Sequence, residues 1–160
     1  MNAFLLVGGV LMLSAGLVLA FRHFSSGAMF SYLGMWCVAS SGYAVIGRQA
    51  LVFWAVATIV VCAIGAARRT DLSPVPARYF ITGGALTGML AGLTLGQAPM
   101  ILAAAIGAVL GGILYSRTPA GKQAGSQWRQ TVETGLPAIV IMSMAGITIS
   151  GILARAALFS

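Results

Sequence analysis

Charged residues are scarce in this sequence. Of 160 residues only 7% are charged, whereas 59% are hydrophobic. A water-soluble domain of this size needs more polar surface to cover its core. The composition therefore excludes an ordinary soluble protein and indicates a chain that resides in a lipid bilayer, as one domain covering residues 1–160.

Acidic residues, histidine and cysteine are almost missing, which restricts the chemistry. The acidic residues are Asp71 and Glu133, the one histidine is His23, and Cys37 and Cys62 show no metal-type spacing. Acid–base catalysis and metal binding both need several such groups held together. We therefore predict no enzyme activity, no metal and no cofactor. The two carboxylates are interpreted as partners of nearby arginines or turn caps, and the thiols as small buried hydrophobic groups.

Six hydrophobic segments follow one another along the chain. A helix needs about 20 apolar residues to cross the hydrocarbon core, and none of the segments has an ionisable residue at its centre. They cover residues 3–21, 28–46, 50–67, 80–96, 99–115 and 136–154. The first segment could also be a signal peptide, but residues 1–20 lack the basic start of such a peptide. The predicted fold is an all-α, polytopic membrane bundle of about six transmembrane helices.

The basic residues are distributed unevenly between alternate loops. One side of the membrane receives Arg22, Arg68, Arg69, Arg78, Arg117, Lys122 and Arg129, and the other receives Arg48 and Arg155. Because basic loops stay in the cytoplasm, we predict a multi-pass protein of the bacterial cytoplasmic (inner) membrane with both termini outside. The net charge of +7 does not indicate nucleic-acid binding, since these cations lie in membrane loops rather than in a dense stripe.

Basic residues near a bilayer surface attract anionic headgroups. The candidate contacts for an anion or a headgroup are Arg22, His23, Arg68, Arg69 and Arg117. For Arg22 and His23 the alternative is a pair of side chains that merely reach the interface. Membrane lipids are the predicted partners of this basic side.

Glycine is abundant, with 21 residues, and it recurs every fourth residue in the fourth segment. Gly84, Gly88, Gly92 and Gly96 would share one helix face and let another backbone come close. Similar series are Ala103, Gly107 and Gly111 in the fifth segment, and Gly146, Ser150 and Ala154 in the sixth. Since the GQAP connection is short and uncharged, we predict an antiparallel hairpin of segments four and five with a glycine-zipper face. That face closes the monomer, joins copies of the chain, or receives a partner helix.

The pattern GG…AGLxL occurs twice, at residues 8–20 and 83–96. Three helices separate the copies, so a true repeat would give two halves of opposite orientation, as in many transporters. Chance recurrence in a chain rich in glycine, alanine and leucine is the other explanation. Chance is favoured because segments two and three share little with segments five and six. A 3+3 inverted repeat stays one of two interpretations.

Several stretches carry a resemblance to a known family. They are the hydrophobic residues 3–21, FSYLGMW at 30–36, GAARR at 65–69, GGALTGMLAG at 83–92 and AAAIGAVLGGILYSR at 103–117. Their order resembles the small bacterial membrane proteins of domain-of-unknown-function family 456. In the first loop RHFSSG, residues 22–27, replaces the proline-rich motif of that family. The resemblance implies a fold and a membrane location, and no activity.

Two functions fit these observations. No charge lies within a segment to mark ion coupling. Six hydroxyl side chains either line a path or bond the preceding helical turn, namely Ser14, Ser40, Ser41, Thr58, Ser143 and Thr148. We expect translocation of a small or lipidic solute by a channel- or transporter-like bundle. The alternative is a non-transporting scaffold or accessory subunit, and in either case we expect a homo-oligomer or a partner membrane helix.

Overall fold

The computed structural model describes residues 2–67, 75–123 and 127–159, and these contain helices and turns but no strand. Helices α1 to α4 span Ala3–Ala20, Phe24–Ser41, Arg48–Ala67 and Val75–Gly92. Helices α5 to α7 span Gln97–Ser116, Pro119–Gln123 and Gln127–Phe159, and a single 3-10 turn, Leu93–Leu95, follows α4. The prediction of an all-α chain is confirmed for these residues.

Within the described residues, four stretches of helix are long and apolar enough to cross a membrane. They are Ala3–Ala20, Arg48–Gly65, Gln97–Ser116 and Thr131–Leu158, which is fewer than the six predicted. Helices α2 and α4 are long enough to cross a membrane, with 18 residues each, but they are not apolar enough. Their mean hydropathy is lower because α2 contains five serines, and α4 contains four glycines, two threonines and Arg78.

The helices and the hydrophobic segments end at different residues. Helix α2 stops at Ser41, before the predicted end at residue 46, because Gly42 adopts a left-handed conformation with φ 77°. Helix α4 begins five residues earlier than predicted, with Pro76 in its first turn, where proline is tolerated. Helix α7 has 33 residues and extends well beyond the predicted sixth segment at both ends. Pro137 lies inside it. Hydropathy predicts the apolar part of a helix and not its ends.

Two helical hairpins pack against the last helix. Helix α1 lies along α2, α4 lies along α5, and all four contact α7, while α3 packs on α2 and α7. Close backbone approaches between the described parts of the two hairpins are few. Helix α7 is the central helix, since 61% of its apolar span is buried, compared with 22% for α1 and 17% for α3.

Methionine fills much of the core around α7. Among the described residues, five methionines are fully buried: Met35, Met89, Met100, Met142 and Met144. The flexible thioether chain fits irregular gaps between helices. The Oγ1 atom of Thr58 on α3 lies 3.7 Å from the sulfur of Met144. The buried residues that the structure describes are apolar or carry a hydroxyl group, and none of them is charged.

Candidate functional site

The backbones of α4 and α5 meet at glycines. A Cβ atom added to Gly84 would collide with the carbonyl group of Gly107, and one added to Gly88 would collide with that of Ala103. Additions at Gly107 and Gly111 would strike the backbone of α4. Neither helix therefore accepts a larger residue here unless the pair separates. Close packing of this kind is typical of small residues in membrane helices.

The last two glycines of the predicted series behave differently. A Cβ atom at Gly92 would lie 2.6 Å from Cα of Met100, so Gly92 belongs to the same contact. Gly96 does not, because it has φ 111° and nothing lies within 4 Å of an added Cβ atom. Gly96 takes no part in the contact between α4 and α5, since α4 ends before it, and packing of Gly96 against another chain stays a prediction. Gly96 instead supplies a backbone conformation that favours glycine, directly before α5.

Helices α1 and α2 also meet at small residues, which are not among those predicted from the sequence. A Cβ atom at Gly9 would lie 2.9 Å from the carbonyl oxygen of Gly34, and one at Gly16 would lie 2.7 Å from the amide nitrogen of Ser31. The buried residues of α1 are Gly9, Leu13, Gly16 and Ala20. Their spacing of four, three and four resembles a heptad. A search for glycine at every fourth residue does not detect it.

Gly112 of α5 and Gly146 of α7 meet side chains rather than backbone. A Cβ atom at Gly112 would lie 2.7 Å from Cγ2 of Thr131 on α7. Gly146 accepts the end of the Met100 side chain, and an added Cβ atom would also lie 3.1 Å from Cγ of Met89. The remaining two members of the predicted series on the sixth segment make no such contact, because Ser150 donates to the carbonyl of Ile147 and Ala154 is exposed.

One end of the bundle gathers most of the described cations. The chain turns there between α1 and α2, and Nη1 of Arg78 on α4 donates a hydrogen bond of 3.0 Å to the carbonyl oxygen of Arg22. The end of α3 lies beside the same turn, with Sγ of Cys62 3.6 Å from the carbonyl oxygen of Ser25. Helix α5 is antiparallel to α4, so Arg117 and α6 lie at this end as well. We call it the basic end.

Aromatic rings hold Arg78 in place. Its guanidinium carbon lies 5.9 Å from the centre of the Phe24 ring, within the range of a cation–π interaction. The next residue, Tyr79, stacks on Phe21 with ring centres 5.9 Å apart. The first residues of α4 therefore dock onto the α1–α2 turn. We call the group formed by these residues the turn cluster: Phe21, Arg22, His23, Phe24, Arg78 and Tyr79.

The structure brings together only some of the predicted headgroup contacts. Arg22 and His23 belong to the turn cluster and have exposed side chains, and Arg117 is exposed just after α5. Arg68 and Arg69 lie outside the described residues. Arg78 is half-buried and was not predicted as a site residue. It follows two prolines in the sequence, which placed it in a connection rather than on a helix.

The opposite end of the bundle carries fewer positive charges. Arg48 starts α3 at this end, and Arg155 lies near the end of α7. Arg48 and Gln49, together with Val52 and Phe53, line an open depression of about 420 Å³ on the outer side of α3. This depression is shallow, and only one of its residues is charged.

Most hydroxyl groups of the predicted path bond their own helix. Ser14, Ser41, Thr58 and Thr148 each donate to a carbonyl three or four residues earlier. Local bonding of this kind was the alternative to path lining. Ser143 differs, because its Oγ atom is buried without a hydrogen-bond partner. The same is true of Ser31 Oγ, Thr82 Oγ1 and Tyr115 OH.

The described part of the chain contains no group of three or more histidine, cysteine, aspartate or glutamate side chains that could hold a metal ion. No family model matches the sequence, and no curated protein or solved structure is significantly similar to it.

Proposed function

We propose that the chain is a protein of the bacterial inner membrane that crosses the bilayer six times. Helices α2 and α4 fall short in hydropathy, but each runs along a helix that is apolar enough to span, α1 and α5 respectively. Two helices packed side by side occupy the same depth. A helix of 18 residues is about 27 Å long, close to the hydrocarbon core of about 30 Å.

The polar residues of these two helices are compatible with a lipid environment. Ser31 and Ser41 of α2 and Thr82 of α4 are buried inside the bundle, which removes them from the acyl chains.

We further propose that the basic end lies in the cytoplasm and that both termini lie outside. Cysteines introduced at Lys122 and Leu95, in a variant without Cys37 and Cys62, test this with an impermeant maleimide. In intact cells only the Leu95 variant is expected to react.

We also propose that the bundle translocates a small or lipidic solute. The observation that supports this most is its division into two glycine-packed hairpins that make few approaches to each other and meet on α7. Two stiff units that share one helix can rock against each other, as the halves of repeat-built transporters do. Helices α1 to α3 and helices α4, α5 and α7 each begin with such a hairpin, which favours a 3+3 repeat. Since no described buried residue is charged, the proposal includes neither ion coupling through a buried charge nor an enzyme activity.

Purified protein in vesicles tests translocation. Dithionite bleaches fluorescent phospholipid in the outer leaflet only, so about half of the signal is lost without flipping. We expect protein-containing vesicles to lose more than this, or to release a trapped small solute faster than empty vesicles. If neither lipid nor solute moves faster than in empty vesicles, translocation is refuted and the scaffold is favoured.

A separate observation favours a scaffold or accessory subunit as the second candidate. Nothing lies within 4 Å of a Cβ atom added to Gly83, and Thr87 and Ala91, four and eight residues later, are exposed on the same outer face of α4. Small faces allow another membrane helix to approach. A partner helix or a second copy of the chain would bind here. Gly83→Leu is expected to abolish such an assembly in cross-linking experiments without affecting solute movement.

A further inference from the structure

We propose that the turn cluster binds the phosphate headgroup of an anionic glycerophospholipid. The proposal rests on the membrane placement proposed above and does not depend on translocation. It adds Arg78 and Tyr79 to the predicted contacts Arg22 and His23, and it commits to a lipid as the source of the anion.

Two guanidinium groups belong to this cluster. Arg78 reaches the backbone of Arg22, with 3.0 Å between its Nη1 atom and the Arg22 carbonyl oxygen. The ring of Phe24 fixes the position of its guanidinium group. Arg22 itself contributes a carbonyl to this bond and keeps its side chain exposed. Guanidinium groups bind phosphate with paired hydrogen bonds, and two of them in adjacent segments favour a shared anion.

The surface next to Arg22 fits an acyl chain. Phe4, Leu11 and Val18 follow each other at seven-residue intervals on α1, and they are 93%, 65% and 68% exposed. Arg22 lies in the turn that follows α1, at the end of the helix where this apolar stripe finishes, so a positive charge stands at the end of the stripe. A phospholipid lying along α1 would place its phosphate beside Arg22. A free phosphate ion would make no use of the stripe.

The aromatic residues of the cluster are typical of the headgroup level. Tyr79 is 50% exposed and the next residue, Phe80, is 41% exposed. Tyrosine is enriched at this depth because its ring is apolar and its hydroxyl is polar. The cytoplasmic leaflet, where we place the basic end, is the leaflet rich in anionic lipid. The positive charge of the turn cluster, its depth in the membrane and the apolar stripe beside it thus all favour an anionic phospholipid as the ligand.

Native mass spectrometry of the full chain in detergent tests the proposal. The protein is mixed with phosphatidylglycerol and phosphatidylcholine of identical acyl chains, and the bound fraction of each lipid is measured. We expect phosphatidylglycerol to be retained preferentially. The Arg22→Gln variant is expected to lower its retention about fivefold, the effect of one cation near a membrane surface. This variant is expected to keep the fold, because the hydrogen bond that Arg78 donates is accepted by the backbone carbonyl of Arg22 and not by its side chain.

Arg48→Gln is the matched control, since Arg48 is an exposed arginine at the opposite end. It is expected to leave the retention of phosphatidylglycerol unchanged. Equal retention of the two lipids, or an equal loss with Arg22→Gln and Arg48→Gln, would overturn the proposed site. Inorganic phosphate is added in a parallel sample, and displacement of the lipid at low millimolar concentration would identify a site for a free anion instead. The vesicle assay is independent of these results, so lipid binding and translocation can fail separately.

Discussion

Gly83 and Gly84 are neighbours in α4, but a methyl group at each would meet different surroundings. At Gly84 an added Cβ atom collides with the Gly107 carbonyl of α5, whereas at Gly83 it meets nothing within 4 Å. Replacing either glycine by alanine therefore adds the same single methyl group to the chain. Any difference in stability between the two variants reports the contact between α4 and α5.

The size of the difference follows from two opposing effects. Replacing glycine by alanine in a helix stabilises it by up to about 1 kcal/mol in water, and by less within a membrane. At Gly84 the helices must also move apart, and overpacking of a tight contact costs about 1–3 kcal/mol. We expect Gly84→Ala to lower the free energy of unfolding by about 2 kcal/mol. Gly83→Ala is expected to leave it unchanged or to raise it slightly.

Unfolding by sodium dodecyl sulfate in mixed micelles measures this difference. Tryptophan fluorescence reports the tertiary structure, because Trp36 and Trp54 lie on α2 and α3. The wild-type chain and both alanine variants are titrated under the same conditions. Equal midpoints for Gly83→Ala and Gly84→Ala would refute the close contact between the α4 and α5 backbones.

Three further changes give expected outcomes in the same unfolding assay. Gly16→Ala should destabilise the chain by about 1–3 kcal/mol, because its methyl group would strike Ser31 of α2. Gly8→Ala should not, because nothing lies within 4 Å of the added methyl group. A Gly16→Ala variant as stable as the wild type would contradict the α1–α2 contact. Thr82→Val should stabilise the folded chain by about 1 kcal/mol, since it replaces a buried hydroxyl that has no hydrogen-bond partner by an isosteric methyl group. A loss of stability would mean that the hydroxyl does make a hydrogen bond. Phe24→Leu should destabilise because the ring lies beneath Arg78 and also packs on the core, and the loss should be smaller by about 0.5–1 kcal/mol when Arg78 is already glutamine.

The helical class and the α4–α5 contact residues could be anticipated from sequence. Apolar runs predict helices because the bilayer leaves no other way to satisfy the backbone. The four-residue spacing of Gly84, Gly88 and Gly92 singled out the residues at which the two backbones meet. The same spacing does not bring Gly96 into this contact, because periodicity alone does not show where a helix ends.

Other features could not be predicted, because they depend on contacts between helices that a local sequence pattern does not show. Arg78 looked like a loop residue after two prolines, and only the docking of α4 onto the α1–α2 turn brings it to Arg22. The small-residue seam of α1 uses alternating steps of four and three, so a glycine count misses it. Helix α7 continues through Glu133 and Pro137, where hydropathy indicates a boundary. Helicity there depends on the backbone and its packing rather than on apolar side chains.

The central place of α7 has a consequence for how the protein is made. Helix α7 is synthesised after the other described helices, yet α1, α2, α3, α4 and α5 all pack on it. Both hairpins can close on their own glycine contacts as soon as they enter the membrane. Their faces around Met35 and Met89 remain open to lipid until residues 127–159 have left the ribosome. Assembly of the interior is therefore a late event, and a ribosome that stalls before α7 would leave two formed hairpins with no common core.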